Sequence, residues 1–138
     1  MKTEIKVKEP NKDLRQLINE LRKGEGDTYQ NGIKPGPKKL QQFREVMKLR
    51  EVPTLGTQDK SDNPILFVKL FDPTGSWTWF LSEWNPRDQD SCFGLVHGFE
   101  KEWGYISLAE LAVVPGAMGI GIEIDMHWIP RRASEVDE

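Results

Sequence analysis

Residues 64–84, P-I-L-F-V-K-L-F-D-P-T-G-S-W-T-W-F-L-S-E-W, decide the fold of this chain. Residues 65–71 are apolar except for Lys69, which is typical of a strand that is buried along most of its length. The D-P-T-G tetrad at 72–75 is a strong turn signal. Residues 76–84 then alternate with the two-residue period of a strand. The stretch therefore predicts a β-hairpin.

The alternation also predicts which side chains share a face of the second hairpin strand. One face is expected to carry Trp77, Trp79, Leu81 and Glu83, and the other Thr78, Phe80, Ser82 and Trp84. Because the tryptophans fall on both faces, they are not all expected in one core.

Further strands and one short helix are predicted downstream. Residues 92–96 and 104–106 are the third and fourth strands, with a turn near 98–101. The sequence S-L-A-E at 107–110 is a capping box that opens a helix ending near residue 113. A last strand is predicted at 119–128, and the charged tail after residue 130 is expected to fray.

Two helices are predicted before the hairpin. The first begins at Asn11 as N-cap and ends at Gly24, with leucines and an isoleucine at helical spacing between them. A linker rich in Gly and Pro follows at 24–37. The second helix has an apolar face that starts at Leu40, and Pro53 ends it.

The predicted fold class is therefore α+β: two N-terminal helices, then an antiparallel sheet of about five strands with one inserted short helix. The predicted organisation has an N-terminal helix and linker at residues 1–37 and a single α+β domain at residues 38–138. Neither internal repeats nor low-complexity tracts interrupt it.

The composition indicates a soluble globular protein. The chain has 138 residues, 37% of them hydrophobic, and five Trp and six Phe supply material for a core. A single cysteine, Cys92, excludes an intramolecular disulfide and a cysteine-based zinc cage. Neither a membrane-spanning run of ~18 apolar residues nor the apolar region of a signal peptide is present. We therefore expect a cytoplasmic protein.

Charge is divided unevenly along the chain. Residues 1–60 hold 14 Lys and Arg against 9 Asp and Glu, which gives +5, and residues 61–138 hold 5 against 13, which gives −8. A basic arm on an acidic body suggests that the arm contacts nucleic acid or that the two halves contact each other. An ordinary solvated segment is the alternative, since the pI of 5.5 lies well below the ~9 typical of DNA-binding domains.

The predicted last strand carries the most suggestive polar pattern. Glu123, Asp125 and His127 are expected on one face, and Glu83 would join them if its strand paired alongside. Carboxylates and an imidazole at this spacing can ligate a divalent metal or form an acid–base pair. The same alternation also describes a half-buried strand with one face in water. These residues stay candidates, and no cofactor is expected other than a divalent metal at this position.

Two further groups are candidates for binding. Tryptophans usually supply core mass, but exposed ones would line a groove for a base, a sugar or a peptide, and all five are considered for this role: Trp77, Trp79, Trp84, Trp103 and Trp128. The basic segment G-I-K-P-G-P-K-K at 32–39 is a candidate for contacts with backbone phosphates. The binding candidates are Trp77, Trp79, Trp84, Trp128, Glu83, Lys38, Lys39 and Arg44.

Familiar catalytic motifs are missing from the sequence. It contains no G-x-x-x-x-G-K-[ST] phosphate loop, no G-x-S-x-G elbow and no H-E-x-x-H. The glycine-rich G-A-M-G-I-G at 116–121 leads into a predicted strand and not into a helix that would hold phosphate. These absences lower the expectation of an enzyme without excluding one.

Four segments together resemble one known family. They are W-T-W-F-L-S-E-W-N-P at 77–86, F-G-L-V-H-G-F-E at 93–100, W-G-Y-I-S-L-A-E-L at 103–111 and G-I-E-I-D-M-H-W-I-P at 121–130. In order and spacing they are similar to the bacterial domain-of-unknown-function family numbered 2958, over roughly residues 38–136. The resemblance implies a setting: members are typically carried on plasmids, integrative elements and phages, often among accessory and anti-restriction genes. It carries over no catalytic or binding residue.

The sequence departs from the family pattern in two places. Ile124 stands where members usually have Arg, so a pairing role of that Arg is not implied here. Residues 1–37 lie outside the resemblance, which therefore implies nothing about the first helix.

Three functions are compatible with these observations. The first is a non-enzymatic accessory protein of a bacterial mobile element that binds and modulates or inhibits a host defence or DNA-processing protein, without membrane contact. The second is a nucleic-acid-binding accessory protein that uses the basic N-terminal segment. The third is a small metal-dependent hydrolase or nuclease that uses Glu123, Asp125, His127 and Glu83.

Overall fold

The computed structural model describes residues 33–136, and its centre is a five-stranded antiparallel sheet. The elements in chain order are α1 (Pro37–Leu49), β1 (Ile65–Leu66), β2 (Val68–Phe71), β3 (Thr78–Trp84), β4 (Ser91–His97), β5 (Lys101–Ser107), α2 (Leu108–Ala112), β6 (Glu123–Ile124), β7 (Arg131–Arg132) and a 3₁₀ turn (Ala133–Glu135). The strand order in the sheet is β5-β4-β3-β2-β6, and β1 pairs with β7 in a separate ribbon. The α+β class is confirmed.

The two predicted N-terminal helices have different outcomes. The second is α1, which has Pro37 in its first turn and ends at Arg50 as C-cap. The first lies outside the described residues, as does most of the predicted linker. The described part of the chain therefore shows one N-terminal helix and not two, and the proposed boundary after residue 37 stays a prediction.

The predicted hairpin is confirmed as β2 and β3, which pair antiparallel along the whole of β2. Its turn has the expected chemistry: the Asp72 carboxylate accepts hydrogen bonds from the N–H of Thr74 at 2.9 Å and from its hydroxyl at 2.8 Å. The Asp72 carbonyl accepts a third from the N–H of Gly75 at 3.1 Å. The turn residues thus fix the register of the two central strands.

The expectation of one continuous strand at 65–71 is wrong, because the chain breaks its alternation at Phe67. Leu66 packs on one side of the sheet, whereas Phe67 and Val68 both pack on the other. Two consecutive side chains on the same face of a sheet are incompatible with a regular pleat, in which successive side chains point to opposite faces. Residues before the break leave the main sheet and pair with β7.

The third and fourth strands are confirmed and are longer than predicted. β4 and β5 pair without interruption from Ser91↔Ser107 to His97↔Lys101. Ser107 is confirmed as the N-cap of α2, since its hydroxyl accepts a hydrogen bond from the N–H of Glu110 at 3.2 Å. The carboxylate of Asp90 adds a second cap by accepting from the N–H of Ala109 at 2.7 Å.

A β-bulge at Ser82 changes the faces predicted for β3. Leu81 lies opposite Gly94 and Glu83 lies opposite Phe93, so two steps along β3 match one step along β4. The predicted placement of Glu83 with Leu81 is therefore wrong: the extra residue moves Glu83 to the opposite face and brings the next residue, Trp84, onto the face of Leu81.

Two apolar clusters, the front core and the back cluster, lie on opposite faces of the sheet. The front core lies between the sheet and the two helices and contains Phe43, Val46, Met47, Val52, Ile65, Phe67, Val68, Leu70, Leu81, Trp84, Cys92, Ile106, Leu108, Leu111, Ala112, Ile122 and Ile124. The back cluster contains Leu66, Phe80, Leu95 and Trp128, with Ala133 and Val136 packed against it.

The chain end covers part of the back face. The indole N–H of Trp128 donates to the carbonyl of Leu66 at 3.0 Å, and the N–H of Ala133 donates to the carbonyl of Pro64 at 2.8 Å. The expectation that the tail frays is therefore wrong for the described residues up to Val136, because apolar side chains in the tail pack on the sheet.

The predicted long strand at 119–128 is wrong as well, since only Glu123–Ile124 forms a strand. Gly119 and Gly121 have φ of 74° and 86°, which an extended strand does not allow. A Cβ on Gly121 would also lie 2.9 Å from Cγ of Pro35. The segment is instead held by a side chain of α1.

That side chain is Lys39, which is fully buried. Its Nζ donates to the carbonyl of Ile122 at 2.9 Å and to that of Ile120 at 3.2 Å. Burial lowers the pKa of Lys39 to about 8, and the carboxylate of Glu123 opposes the shift. A buried amine thus replaces the ladder hydrogen bonds that a regular strand would have made here.

Substitution of Gly94 tests the packing of the central strands. Gly94→Ala would place a Cβ 2.0 Å from the carbonyl oxygen of Phe80, an atom of the sheet backbone that cannot move aside alone. We expect a loss of about 2–4 kcal/mol in the free energy of unfolding, or failure to fold.

Gly104 lies directly opposite, and a Cβ there meets nothing within 4 Å, so Gly104→Ala is the matched control. Its expected change is within about 0.5 kcal/mol in denaturant unfolding. Equal losses in both variants would contradict the predicted clash.

The buried amine predicts a specific pH dependence. Because the pKa of Lys39 is about 8 in the folded chain and near 10.5 when exposed, the unfolded chain binds more protons between these values. Between about pH 8 and pH 10.5, the free energy of unfolding of the unsubstituted chain should therefore increase relative to that of Lys39→Met. The expected slope of this difference is at most ~1.4 kcal/mol per pH unit. Urea titrations of both proteins at several pH values measure the difference. Parallel pH profiles would show that folding does not lower the pKa of Lys39.

Candidate binding surface

A groove of about 280 Å³ opens between the back face of the sheet and the turns that follow α1. The turns supply Gln58, Asp59, Ser61, Asp62 and Pro64, and the sheet supplies Ser82, Glu83, Phe93 and Trp103. The lining therefore combines carboxylates on one side with aromatic rings on the other.

Glu83 holds the turns in place at the base of the groove. The residue is 97% buried, and its two carboxylate oxygens accept hydrogen bonds from the backbone N–H groups of Gly56, at 3.0 Å, and of Gln58. The Gln58 amide in turn donates to the carbonyls of Ile65 and Ser82, both at 3.0 Å. This network fixes the loop against β3, so Glu83 acts on the position of the groove and not on a ligand at its mouth.

Three aromatic side chains, Phe93, Trp103 and Tyr105, form an aromatic face that extends the groove across β4 and β5. The Phe93 and Trp103 rings stack with centroids 6.0 Å apart, and Phe93 and Tyr105 meet edge to face at 5.2 Å. Trp103 is 42% exposed and Tyr105 is 78% exposed. Exposed aromatic rings that lie side by side at the edge of a sheet are unusual for a surface without a binding role.

Glu123, Asp125 and His127 line a different hollow, of about 280 Å³, together with Lys69. Glu123 is buried, and Asp125 is tied to Lys69 by an ion pair of 3.5 Å. The Asp125 carboxylate also accepts from the N–H of His127 at 2.9 Å, which starts a turn. The three residues are therefore near one another, but a turn and not a strand face brings them together.

Glu83 does not join this hollow, because its strand does not pair with the strand that carries Glu123. β2 lies between β3 and β6 in the sheet, and Glu83 lines the groove instead. Among residues 33–136, no group of three His, Cys, Asp or Glu side chains is placed to hold a metal ion.

The predicted basic residues have mainly internal partners. Lys38 is exposed at the start of α1, but its neighbour Lys39 is buried on backbone carbonyls. The Arg44 Nε donates to the carbonyl of Gln89 at 2.9 Å. Arg50 is 93% buried, and burial lowers the pKa of its guanidinium while the Asp125 carboxylate opposes that shift. The positive charge of this helix is thus directed largely towards the acidic half of the chain.

The five tryptophans divide between core and surface. Trp84 lies in the front core and Trp128 in the back cluster, and each is at least 95% buried. Trp79 packs against the front core and lies 6.1 Å from Trp77 between ring centroids. Trp103 is the most exposed of the five.

Of the aromatic face, the sequence analysis considers only Trp103, as one of five tryptophans, and it includes neither Phe93 and Tyr105 nor the two aspartates of the groove. A signal for the aromatic face is present: in W-G-Y at 103–105 two aromatic residues sit at i and i+2 and so share one strand face. The predicted fourth strand begins at residue 104, which leaves Trp103 outside it. The aspartates have no signal, because their position depends on how Glu83 folds the loop.

The geometry defines an α+β protein with an aromatic and acidic groove on the back of its sheet. The chain belongs to the family described as "Protein of unknown function (DUF2958)", whose sequence profile matches residues 40–135. The resemblance noted in the sequence is thereby confirmed. No curated protein and no solved structure is detectably similar to the chain. In the described part of the chain, no helix has the length and apolar character that crossing a bilayer requires.

Glu83→Gln tests whether this buried carboxylate is an anchor of the loop. The amide nitrogen would face a backbone N–H donor, which leaves one buried group without an acceptor. We expect a loss of about 1–3 kcal/mol in the free energy of unfolding and faster hydrogen exchange at the amides of residues 56–58. Glu110→Gln, at an exposed position on α2, is the control and should leave both unchanged. Unaltered exchange in Glu83→Gln would remove the anchoring role.

Proposed function

We propose that this chain is a non-enzymatic binding protein that acts as an accessory factor of a bacterial mobile element, and that it contacts a host defence or DNA-processing protein through the aromatic face. The observation that carries the proposal is the exposure of Trp103 and Tyr105 beside a groove whose walls are held in place by buried hydrogen bonds. Rigid, exposed aromatic rings are the usual anchors of protein interfaces.

The local charge supports a protein partner over a nucleic acid. Asp59 and Asp62 lie in the groove beside the rings, and Glu83 is at its base. The two exposed carboxylates would repel a phosphate backbone, whereas they suit a positively charged patch on a protein. Of the cations in and beside α1 that a nucleic acid would contact, Lys39 and Arg44 are bonded within the chain and Arg50 is buried.

The position of the groove supports the same proposal. The front core is closed by α1 and α2, and the chain end covers the back cluster, which leaves the β4–β5 end of the back face open. The family resemblance supports the mobile-element setting, and the composition supports the cytoplasmic location.

Capture from bacterial lysate tests the proposal. Tagged protein is purified from lysate treated with nuclease, and the bound proteins are identified by mass spectrometry. We expect a stoichiometric partner that survives nuclease and is lost from the Trp103→Ala/Tyr105→Ala variant, since aromatic anchors contribute ~2 kcal/mol or more at interfaces.

The control is Met118→Ala, which removes a comparably exposed apolar side chain (74% exposed) outside the groove. It should retain the partner. Equal capture by both variants would exclude the aromatic face, and loss of all partners on nuclease treatment would transfer support to the nucleic-acid alternative.

A further inference from the structure

Two carboxylates in the groove have no partner within the described chain. Asp59 and Asp62 are both exposed, and neither side chain forms a hydrogen bond or ion pair with any residue from 33 to 136. Lys60 lies between them in sequence but does not line the groove. The mouth of the groove therefore carries negative charge that the described chain does not neutralise.

The opposite side of the groove offers two aromatic side chains. Phe93 and Trp103 are nearly parallel, with 17° between their planes, and the Trp103 ring is partly open to solvent. Tryptophan is the best of the aromatic residues at binding a cation over its face. Two carboxylates and an indole ring thus border the same space.

This combination matches a guanidinium group more closely than an ammonium group. Guanidinium is planar, stacks on aromatic rings and forms paired hydrogen bonds with carboxylates, whereas ammonium is a compact and more strongly hydrated charge. The chain itself uses the same contact elsewhere, since the Arg131 guanidinium carbon lies 4.1 Å from the centre of the Trp128 ring.

The size of the groove suits one side chain. Its volume of about 280 Å³ is just below the ~300–1,000 Å³ of pockets that enclose drug-sized ligands. One arginine side chain with a few water molecules is compatible with it.

We infer that the groove binds an arginine side chain in a basic segment of the partner protein, with the guanidinium between the carboxylates of Asp59 and Asp62 and the ring of Trp103. The inference rests on the proposed function and adds the chemistry of the partner. Charge complementarity selects this occupant, because both unpaired charges at the groove mouth are negative.

The experiment uses the full chain, labelled with ¹⁵N, and short capped peptides as probes. Each peptide places one residue between glycines: arginine, lysine or citrulline, the last being an uncharged analogue of arginine. Chemical shifts of the Trp103 indole N–H and of the backbone amides at 58–62 are followed as each peptide is added. A double-stranded DNA oligonucleotide is titrated in parallel.

We expect saturable shifts confined to the groove with the arginine peptide, weaker binding with lysine and none with citrulline. Asp59→Asn/Asp62→Asn should weaken binding of the arginine peptide by about tenfold, since each exposed ion pair contributes a factor of about 2–5. The control, Glu100→Gln/Glu110→Gln, removes the same charge from two exposed positions that do not line the groove and should leave the affinity unchanged.

Three results would overturn the inference. They are an absence of shifts in the groove with arginine, equal weakening in the control variant, and the same shifts with DNA. The proposed function is tested separately, because a partner that is lost from Trp103→Ala/Tyr105→Ala but not from Asp59→Asn/Asp62→Asn would leave the aromatic face as the interface and exclude the arginine contact.

Discussion

The one-residue bulge at Ser82 is the constraint on which the rest of the structure depends. Without it, Glu83 would follow Leu81 into the front core and Trp84 would lie on the back face. With it, Trp84 completes the front core, and the Glu83 carboxylate is placed where two backbone N–H groups can satisfy it. The hydroxyl of Ser82 itself donates to the carbonyl of Phe93 at 2.9 Å, which fixes the bulge against β4.

The groove is a consequence of the same bulge. Because Glu83 anchors the loop at Gly56 and Gln58, the loop carries its aspartates to the rim formed by Phe93 and Trp103. A buried carboxylate is costly unless its lone pairs are occupied, so the loop and the strand depend on each other. The groove is therefore held by interior hydrogen bonds, although its polar lining lies largely on turns.

The hairpin, β4, β5 and the capped helix could be predicted from sequence, because period-two alternation, the D-P-T-G turn and the capping box are local signals. The bulge could not be predicted from sequence, because the residues S-E-W at 82–84 are compatible with a regular strand and with a bulged strand alike. The strand expected at 119–128 failed for a related reason. Its apolar and polar residues do alternate, but left-handed glycines and a buried lysine from a distant helix override the pattern.

Only part of the candidate site could be predicted, because the sequence does not show which charged side chains the fold buries. Glu123, Asp125 and His127 line one hollow, but the fold engages both carboxylates: Glu123 is buried near the amine of Lys39, and Asp125 is paired with Lys69. Composition shows a basic arm and an acidic body, but it does not show that cationic side chains of α1 form hydrogen bonds with residues of the acidic half. Because Lys39 and Arg50 are buried, fewer cations of this helix are available to a phosphate than its composition suggests. The carboxylates of Asp59 and Asp62, by contrast, stay exposed and unpaired within the described chain, and they lie beside the most exposed tryptophan. Negative charge next to an open indole is therefore what this surface offers a partner, and a cationic side chain is the group that satisfies both.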